Sequence, residues 1–150
     1  MLWTAIIILI IVLDQATKYI ISGAIPLNDS VTVIDGFFYI SHVLNKGAAW
    51  SILQNKRYFF IVTTVLVCIF IAYYLFRLRN KIVRTALSFI MGGAIGNLTD
   101  RIMTGSVVDF LEFHFGTYIF PVFNVADIFI VTGTILLAYC ILTSKEEFNL

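Results

Sequence analysis

Four long apolar segments dominate the chain and constrain its fold more than any other feature. They cover residues 2–23, 58–76, 85–103 and 124–142. A helix of about 20 apolar residues crosses a hydrocarbon core of about 30 Å. Of the 150 residues, 60% are hydrophobic and only 13% are charged, which is roughly half the charged fraction of a soluble domain. We therefore expect an all-α membrane bundle of four transmembrane helices.

The charge distribution predicts how these helices are oriented. The connector "RLRNKIVR" holds the densest group of basic residues, which are Arg77, Arg79, Lys81 and Arg84. Basic loops stay in the cytoplasm, although Lys46, Lys56 and Arg57 in the first outer connection weaken the bias. The N-terminal segment lacks the basic region and cleavage site of a removable signal peptide. We expect a retained first helix and both termini in the cytoplasm.

The two outer connections, residues 24–57 and 104–123, have a different composition from the helices. The stretch "VTVIDGFFYI" combines β-branched and aromatic residues with Gly36 as a turn, and the second connection is aromatic and interrupted by Gly116 and Pro121. This pattern is typical of short strands. We expect a small β-rich region outside the cytoplasm, lying on the membrane surface, within a single domain of residues 1–150.

The polar residues of the predicted helices lie near the outer membrane boundary. They are Asp14, Lys18, Asn97, Asp100, Arg101, Asn124 and Asp127. Asp109 and Asn45 lie in the outer connections, and the inner helix halves carry almost no polar groups. Buried polar groups are costly in a membrane and usually functional. The sequence predicts one buried polar site that opens to the outside.

Glycines in the third segment indicate close helix packing beside this site. Gly92 and Gly96 form a GxxxG pair that lets a neighbouring helix approach. Gly93 continues the face that holds Asn97 and Arg101, one turn earlier.

Several types of catalytic site do not fit the sequence. His42 and His114 lack the HExxH spacing of a metalloprotease, and no GxSxG motif occurs. Cys68 and Cys140 lie within apolar runs, where we expect small core residues rather than a disulfide. The net charge of +1 gives no indication of nucleic-acid binding. Without a metal-ligand cluster or a phosphate loop, we expect no metal and no cofactor.

Carboxylates remain as the candidate catalytic groups. Two adjacent carboxylates share a proton, so that one activates a water while the other polarises a carbonyl. Asp109 and Asp127 are the natural pair because each lies where an outer connection meets a helix. Asp14 is expected to pair with Lys18, four residues away, and Asp100 adjoins Arg101, so that both carboxylates are expected to stay ionised and structural. The alternative is that Asp109 and Asp127 are a helix cap and a structural polar residue.

Two other classes of function could use the same residues. A transporter or channel needs polar groups at both depths of the membrane, and the inner helix halves are apolar. A non-catalytic membrane subunit that binds lipid or peptide fits the size, but it does not need two carboxylates where water can approach.

Five motifs occur in an order that resembles one known family. They are "DQATK", "NKGAAW", "GGAIGNLTDR", "VVDF" and "FNVAD". With four spans and two outer connections, the chain resembles the lipoprotein signal peptidases, which are bacterial type II signal peptidases and aspartic membrane proteases. The resemblance covers nearly the whole chain.

The resemblance implies an activity, a location and a set of site residues. Asp109 and Asp127 match the catalytic pair. Residues that match positions shaping the site or contacting substrate are Asp14, Lys18, Asn45, Gly93, Asn97, Arg101, Asn124 and Ala126. The implied substrate is a prolipoprotein cleaved just before a diacylglyceryl-modified Cys, in the bacterial cytoplasmic membrane among its lipids. We expect a monomer, and aromatic segments around residues 37–39 and 113–123 that clasp the peptide.

Overall fold

A computed structural model describes residues 1–47 and 53–143, and it contains the four predicted membrane helices. The helices are α1 (Leu2–Ala24), α2 (Arg57–Arg77), α3 (Lys81–Met103) and α4 (Val125–Thr143). Each is long and apolar enough to cross a membrane, which confirms the four predicted spans. The last three residues of "NKGAAW" and the C-terminal residues 144–150 lie outside the described residues.

Helix α3 begins four residues earlier than the sequence indicated, at Lys81 instead of residue 85. The Asn80 side chain explains this start, because its oxygen accepts hydrogen bonds from the backbone N–H of Ile82 at 2.8 Å and of Val83 at 3.1 Å. This is an N-cap, which satisfies amides that have no partner within the helix. The basic connector is therefore short, and two of its four cations belong to the first turn of α3.

Helix α3 is the central helix and contacts the other three. In its most apolar stretch, 44% of α3 is buried within the protein, whereas the corresponding share is 11–17% for α1, α2 and α4. The outward faces of these three helices are apolar, as expected of surfaces that contact lipid. Near the α2–α3 connector the helices share an apolar core, formed by Ile7, Ile71, Leu75, Leu78, Val83, Leu87 and Cys140.

The glycines of α3 allow two helices to pack closely, as the GxxxG pattern predicts. A Cβ atom on Gly92 would lie 2.9 Å from Ile10 of α1, and one on Gly96 would lie 2.6 Å from the Asp14 carboxylate. A Cβ on Gly93 would lie 2.3 Å from the Ala126 carbonyl oxygen of α4. Real Cβ atoms do not approach so closely, so these helix contacts require glycine.

The two outer connections combine into one antiparallel sheet in the order β1-β2-β3-β4. Its strands are β1 (Ser30–Ile34), β2 (Phe38–Asn45), β3 (Val107–Phe115) and β4 (Tyr118–Ile119). The central pairing joins β2 of the first connection to β3 of the second. The expected small β-rich region is thus confirmed, as a sheet that ties the two connections together above the helices.

Candidate active site

Asp109 and Asp127 face one cavity where the sheet meets the helices. Asp109 lies in β3 and is almost fully buried, with 3% of its surface exposed, while Asp127 lies in the first turn of α4. Both line a cavity of about 780 Å³. A carboxylate from the sheet and a carboxylate from a helix therefore face the same cavity.

A reciprocal pair of hydrogen bonds fixes Asp127 at the start of α4. The Asn124 side-chain oxygen accepts from the Asp127 N–H at 3.0 Å, and the Asp127 carboxylate accepts from the Asn124 N–H at 3.2 Å. This is a capping box, which satisfies two free amides at a helix start. Asp127 therefore helps to cap α4, as expected if its role were structural. Its second carboxylate oxygen takes no part in this cap.

Two asparagine amides connect the carboxylates to each other. The Asn124 Nδ2 donates to Asp109 at 2.6 Å and to the Asn97 Oδ1 at 3.1 Å. The Asn97 Nδ2 in turn donates to the second oxygen of Asp127 at 2.8 Å. The Asn124 oxygen accepts from the Asp127 N–H and the Asn97 oxygen accepts from the Lys18 ammonium, and because these two groups only donate, they fix the amide orientation of both asparagines. A continuous path of hydrogen bonds thus joins the two carboxylates.

Asn45 holds Asp109 from the opposite side. Its Nδ2 donates to the remaining carboxylate oxygen of Asp109 at 3.0 Å, and its Oδ1 accepts from the Gly47 N–H at 2.9 Å. Asp109 is therefore held by one amide from Asn124, just before α4, and one from β2, which fixes the plane of its carboxyl group.

A buried ion cluster lies behind Asn97. The Lys18 ammonium lies 2.8 Å from Asp14, 2.9 Å from Asp100 and 2.9 Å from the Asn97 Oδ1. The expected Asp14–Lys18 pair is present. Asp100, which adjoins Arg101 in the sequence, forms its ion pair with Lys18. Neighbouring residues on a helix point about 100° apart and do not face each other.

Asp14 and Asp100 also hold backbone on either side of the site. Asp14 accepts from the Ala126 N–H at 2.9 Å, at the start of α4, and Asp100 accepts from the Val108 N–H at 3.3 Å, one residue before Asp109. Gln15 joins the two, donating to Asp14 at 3.2 Å and to Asp100 at 2.9 Å. The cluster thus positions the elements that carry both cavity carboxylates.

Arg101 reaches the cavity from α3 and binds backbone carbonyls. Its guanidinium donates to the Gly47 carbonyl at 3.1 Å and to the Asn97 carbonyl at 3.5 Å, and it lies over the Phe60 ring at 4.9 Å. These contacts connect α3 to the first outer connection and to α2, and they leave the cationic group beside both carboxylates.

The carboxyl group of Asp109 stays protonated to a higher pH than the carboxyl group of an exposed aspartate. Burial raises the pKa of Asp109 to about 7, and the charge of Asp127 raises it as well. The hydrogen bonds from Asn45 and Asn124 and the charge of Lys18 lower it by less. A pair of this kind titrates as a unit and holds one proton near neutral pH.

The rest of the cavity wall is mostly apolar. It comes from β2, from the segment between β4 and α4, and from the exposed face of α4. Besides the polar residues, the wall contains Val43, Leu44, Val107, Ile119, Phe120, Pro121, Val122, Phe123, Ile128 and Val131. The cavity therefore suits an apolar ligand with one polar group at the carboxylates.

Glu112, the remaining carboxylate of β3, does not belong to the site. Its side chain contacts Ser41, and it accepts from the His114 Nε2 at 2.6 Å. Although partial burial raises the pKa of Glu112, these hydrogen bonds outweigh it and hold the pKa below its usual value. Side chains alternate along a strand, so Glu112 faces away from Asp109.

All ten predicted site residues lie at or next to the cavity. Asn45, Asn97, Arg101, Asp109 and Asp127 line it. The other five support it from behind: Asp14, Lys18, Gly93, Asn124 and Ala126.

The sequence prediction omitted Gln15 and the contact of Asp100 with β3. Their positions beside Asp14 and Arg101 in the motifs were the available signal. Across the described ranges, no group of three or more His, Cys, Asp or Glu residues is placed to hold a metal ion.

The sequence matches a family and several named relatives. Residues 6–143 match the family described as signal peptidase (SPase) II. The lipoprotein signal peptidase of Brevibacillus brevis is 49% identical over 92% of this chain and 93% of its own length. That of Bacillus pumilus is 47% identical over 91% and 90%, and that of Staphylococcus aureus is 39% identical over 93% and 89%.

Solved structures have the same fold. Two chains described as bacterial membrane enzymes superpose with TM-scores of 0.89 and 0.86, each at 36% identity. The first match covers 99% of this chain and 93% of the solved chain, and the second covers 95% and 94%. The helix bundle and the sheet therefore form one arrangement that these relatives share.

Proposed function

The chain belongs to the signal peptidase II family, and we propose that Asp109 and Asp127 are the catalytic pair with which it removes signal peptides from diacylglyceryl-modified prolipoproteins. The observation that carries this proposal is that Asn124 contacts both carboxylates. Its side-chain Nδ2 donates to Asp109 at 2.6 Å, while its backbone N–H and side-chain oxygen form the capping box with Asp127. An arrangement that served only to cap α4 would not need a second buried carboxylate.

The first step of the reaction is attack by water on the scissile carbonyl. Asp109 carries the shared proton, since burial raises its pKa to about 7, and ionised Asp127 acts as the base. As the water oxygen bonds to the carbonyl carbon, its proton moves to Asp127, and Asp109 protonates the carbonyl oxygen. The product is a neutral tetrahedral diol, with the charge now on Asp109.

The second step breaks the carbon–nitrogen bond. Asp127 gives its proton to the amide nitrogen of the lipid-modified Cys, while a diol hydroxyl returns its proton to Asp109. The bond breaks to give the carboxylic acid of the signal peptide and the free amine of the lipoprotein. Asp109 and Asp127 end in their starting protonation states, and no covalent enzyme intermediate forms.

The surrounding residues support this division of roles. Asn97 binds Asp127 on the oxygen that the cap leaves available, and Lys18 fixes Asn97. Arg101 lies on the cavity wall with both carboxylates, where its charge favours a developing negative charge on the substrate carbonyl. Preorganised polar groups of this kind need not rearrange during the reaction.

The apolar cavity wall supports a lipid-bearing substrate. Ile128 and Val131 of α4 line the cavity and are also 42% and 56% exposed, on the side where lipid would contact the helix. The diacylglyceryl chains can therefore stay in the membrane while the peptide reaches the carboxylates. The aromatic sheet residues would clasp the peptide from above, a role that deletion of residues 37–39 without loss of cleavage would disprove.

The orientation in the membrane follows from the basic connector. Arg77, Arg79, Lys81 and Arg84 lie at the α2–α3 end of the bundle, opposite the sheet. Loops rich in Lys and Arg remain in the cytoplasm, which supports cytoplasmic termini and an active site near the outer face. One chain supplies both carboxylates and the cavity, which supports a monomeric enzyme.

The test is cleavage of a diacylglyceryl-modified prolipoprotein in detergent by the wild type and three variants. D109N and D127N should each lower kcat by at least about 1,000-fold, because each removes a proton-transfer group. E112Q is the matched control, since it changes a carboxylate of the same strand that faces away from the cavity. Thermal melting identifies variants that have not folded.

The outcomes separate the enzyme from a binding subunit. Cleavage that persists in folded D109N or D127N would reduce that residue to a structural role. A folded wild type that binds the prolipoprotein without cleaving it would favour the non-catalytic subunit.

A further inference from the structure

Strand β2 carries an extra residue immediately before the catalytic region of the sheet. Ile40 pairs with Leu111 and Val43 pairs with Asp109, so that two residues of β2 face the single residue Phe110 of β3. This is a β-bulge, formed by Ser41 and His42. Bulges shift the direction of the side chains that follow them, and they are common beside active sites.

The bulge decides which face of the sheet Asn45 occupies. Side chains alternate along a regular strand, so a one-residue shift moves every later side chain to the other face. With the bulge, Val43 and Asn45 share a face with Asp109, and all three line the cavity. Without it, the residue paired with Asp109 would be His42, and Asn45 would point away from the site.

His42 attaches the bulge to the end of α1. Its Nδ1 lies 2.8 Å from the Ile25 carbonyl oxygen, and because a carbonyl only accepts, Nδ1 carries the hydrogen. Its backbone N–H donates to the Asp29 carbonyl at 3.0 Å, and its carbonyl accepts from the Asn28 N–H at 2.8 Å. The side chain is buried, with 9% exposed.

We propose that His42 is a positioning residue: its Nδ1 bond to Ile25 holds the β2 bulge in place and thereby directs Asn45 to Asp109. This role rests on the proposed function of Asp109. His42 lies outside the cavity wall, so its effect on cleavage passes through Asn45.

The other histidine of the sheet provides a comparison. His114 of β3 contacts the Glu112 side chain and packs beside the Tyr39 ring with centroids 4.5 Å apart. It lies on the face that turns away from Asp109, in a regular part of the strand. His114 therefore tests whether loss of any sheet histidine affects cleavage.

Two substitutions test whether position 42 needs the hydrogen bond from Nδ1 to Ile25 or only a polar side chain. In H42N the amide nitrogen occupies the place of Nδ1 and can donate to Ile25, whereas in H42Q the amide extends towards the place of Nε2. We expect H42Q to lower kcat by about 10- to 100-fold, the effect of one hydrogen bond to a charged group. H42N should cleave within about threefold of the wild type, less than the effect of one net hydrogen bond.

A double-mutant cycle tests whether His42 acts through Asn45. N45A alone should lower kcat to a similar extent as H42Q, and H42Q in the N45A background should lower it no further. Because the Asn45 amide lowers the pKa of Asp109, both variants should also shift the alkaline limb of the pH–kcat profile upwards. H114Q should leave kcat and the profile unchanged.

Three results would overturn the proposal: H42Q as active as the wild type, H42N as slow as H42Q, or additive effects of H42Q and N45A. D109N measured in the same assay keeps the two hypotheses apart. If folded D109N still cleaves, the proposed function of Asp109 has failed. If D109N is inactive and one of the three results occurs, only the role of His42 has failed.

Discussion

Asp127 and Asp109 face the same cavity, but a helix places the first and a strand places the second. The helix half of the site, Asp127 with Asn97, Lys18 and Asp14, is held by helix contacts that glycines keep short. The strand half, Asp109 with Asn45 and His42, depends on one bulge and on pairing between distant segments. The helix half therefore has several connected supports that meet at Lys18, whereas the strand half has few.

Removing the Lys18 charge should have the largest effect, because it disrupts the helix half at its centre. In K18M the Asp14 and Asp100 carboxylates lose their buried cation, and breaking a buried ion pair costs about 3–5 kcal/mol. We expect a large drop in melting temperature and loss of cleavage. K81M, which changes an exposed lysine of the same helix bundle, should melt like the wild type.

The double variant K18M/D14N identifies the cause of that drop. If the unpaired charge is responsible, neutralising one carboxylate should recover part of the lost stability. A K18M protein as stable as the wild type would show that the ion cluster does not support the site.

Adding one methyl group to Gly93 should have the next largest effect. The new Cβ would meet the Ala126 carbonyl oxygen at 2.3 Å, and this backbone atom cannot move without shifting the start of α4. Overpacking of this kind costs about 1–3 kcal/mol. G93A should therefore melt at a lower temperature and cleave more slowly, since Asp127 moves with α4.

Gly23 supplies the matched control, because a Cβ there would have no atom within 4 Å. G23A should keep full activity and gain slightly in stability from the better helix propensity of alanine. Equal effects of G93A and G23A would mean that close approach of α3 and α4 does not place Asp127.

Asn124 joins the two halves, and its removal should separate stability from activity. N124A removes the cap of α4 and the amide that binds Asp109, whereas N80A removes the cap of α3, at the opposite end of the bundle from the cavity. Loss of a cap costs about 1 kcal/mol, so both variants should lose similar stability. Only N124A should lose cleavage, and similar activities for N124A and N80A would contradict the linking role.

The helix half was largely predictable from the sequence because its contacts follow helix periodicity. The spacing of Asp14 and Lys18 gave their ion pair, and the GxxxG pattern of Gly92 and Gly96 gave the close approach of α1. The ion pair of Asp100 does not follow from helix periodicity in the same way. The true partner, Lys18, lies on another helix, and only the packing of α1 on α3 brings it near.

The strand half was predictable only in outline. Alternating aromatic and β-branched residues indicated strands in both outer connections, but the pairing of β2 with β3 joins segments more than 60 residues apart. The bulge at His42 depends on that register and on the end of α1, so no local pattern identifies it. The role of Asn45 came from the resemblance to a family, whereas its direction comes from the bulge.

The pH dependence of stability tests the strand half alone. Burial raises the pKa of Asp109 to about 7, so the folded protein binds more protons at this group than the unfolded chain between its ordinary pKa and pH 7. Its contribution to stability therefore falls as the pH rises through this window.

Between pH 6 and 8 the wild type should lose about 1.4 kcal/mol of stability relative to D109N, which corresponds to one pH unit of linked proton release. Thermal melting of both proteins at each pH measures this difference. A constant difference would mean that Asp109 ionises as an exposed aspartate does, and Asp109 could then not hold the proton that the proposed mechanism transfers to the substrate carbonyl.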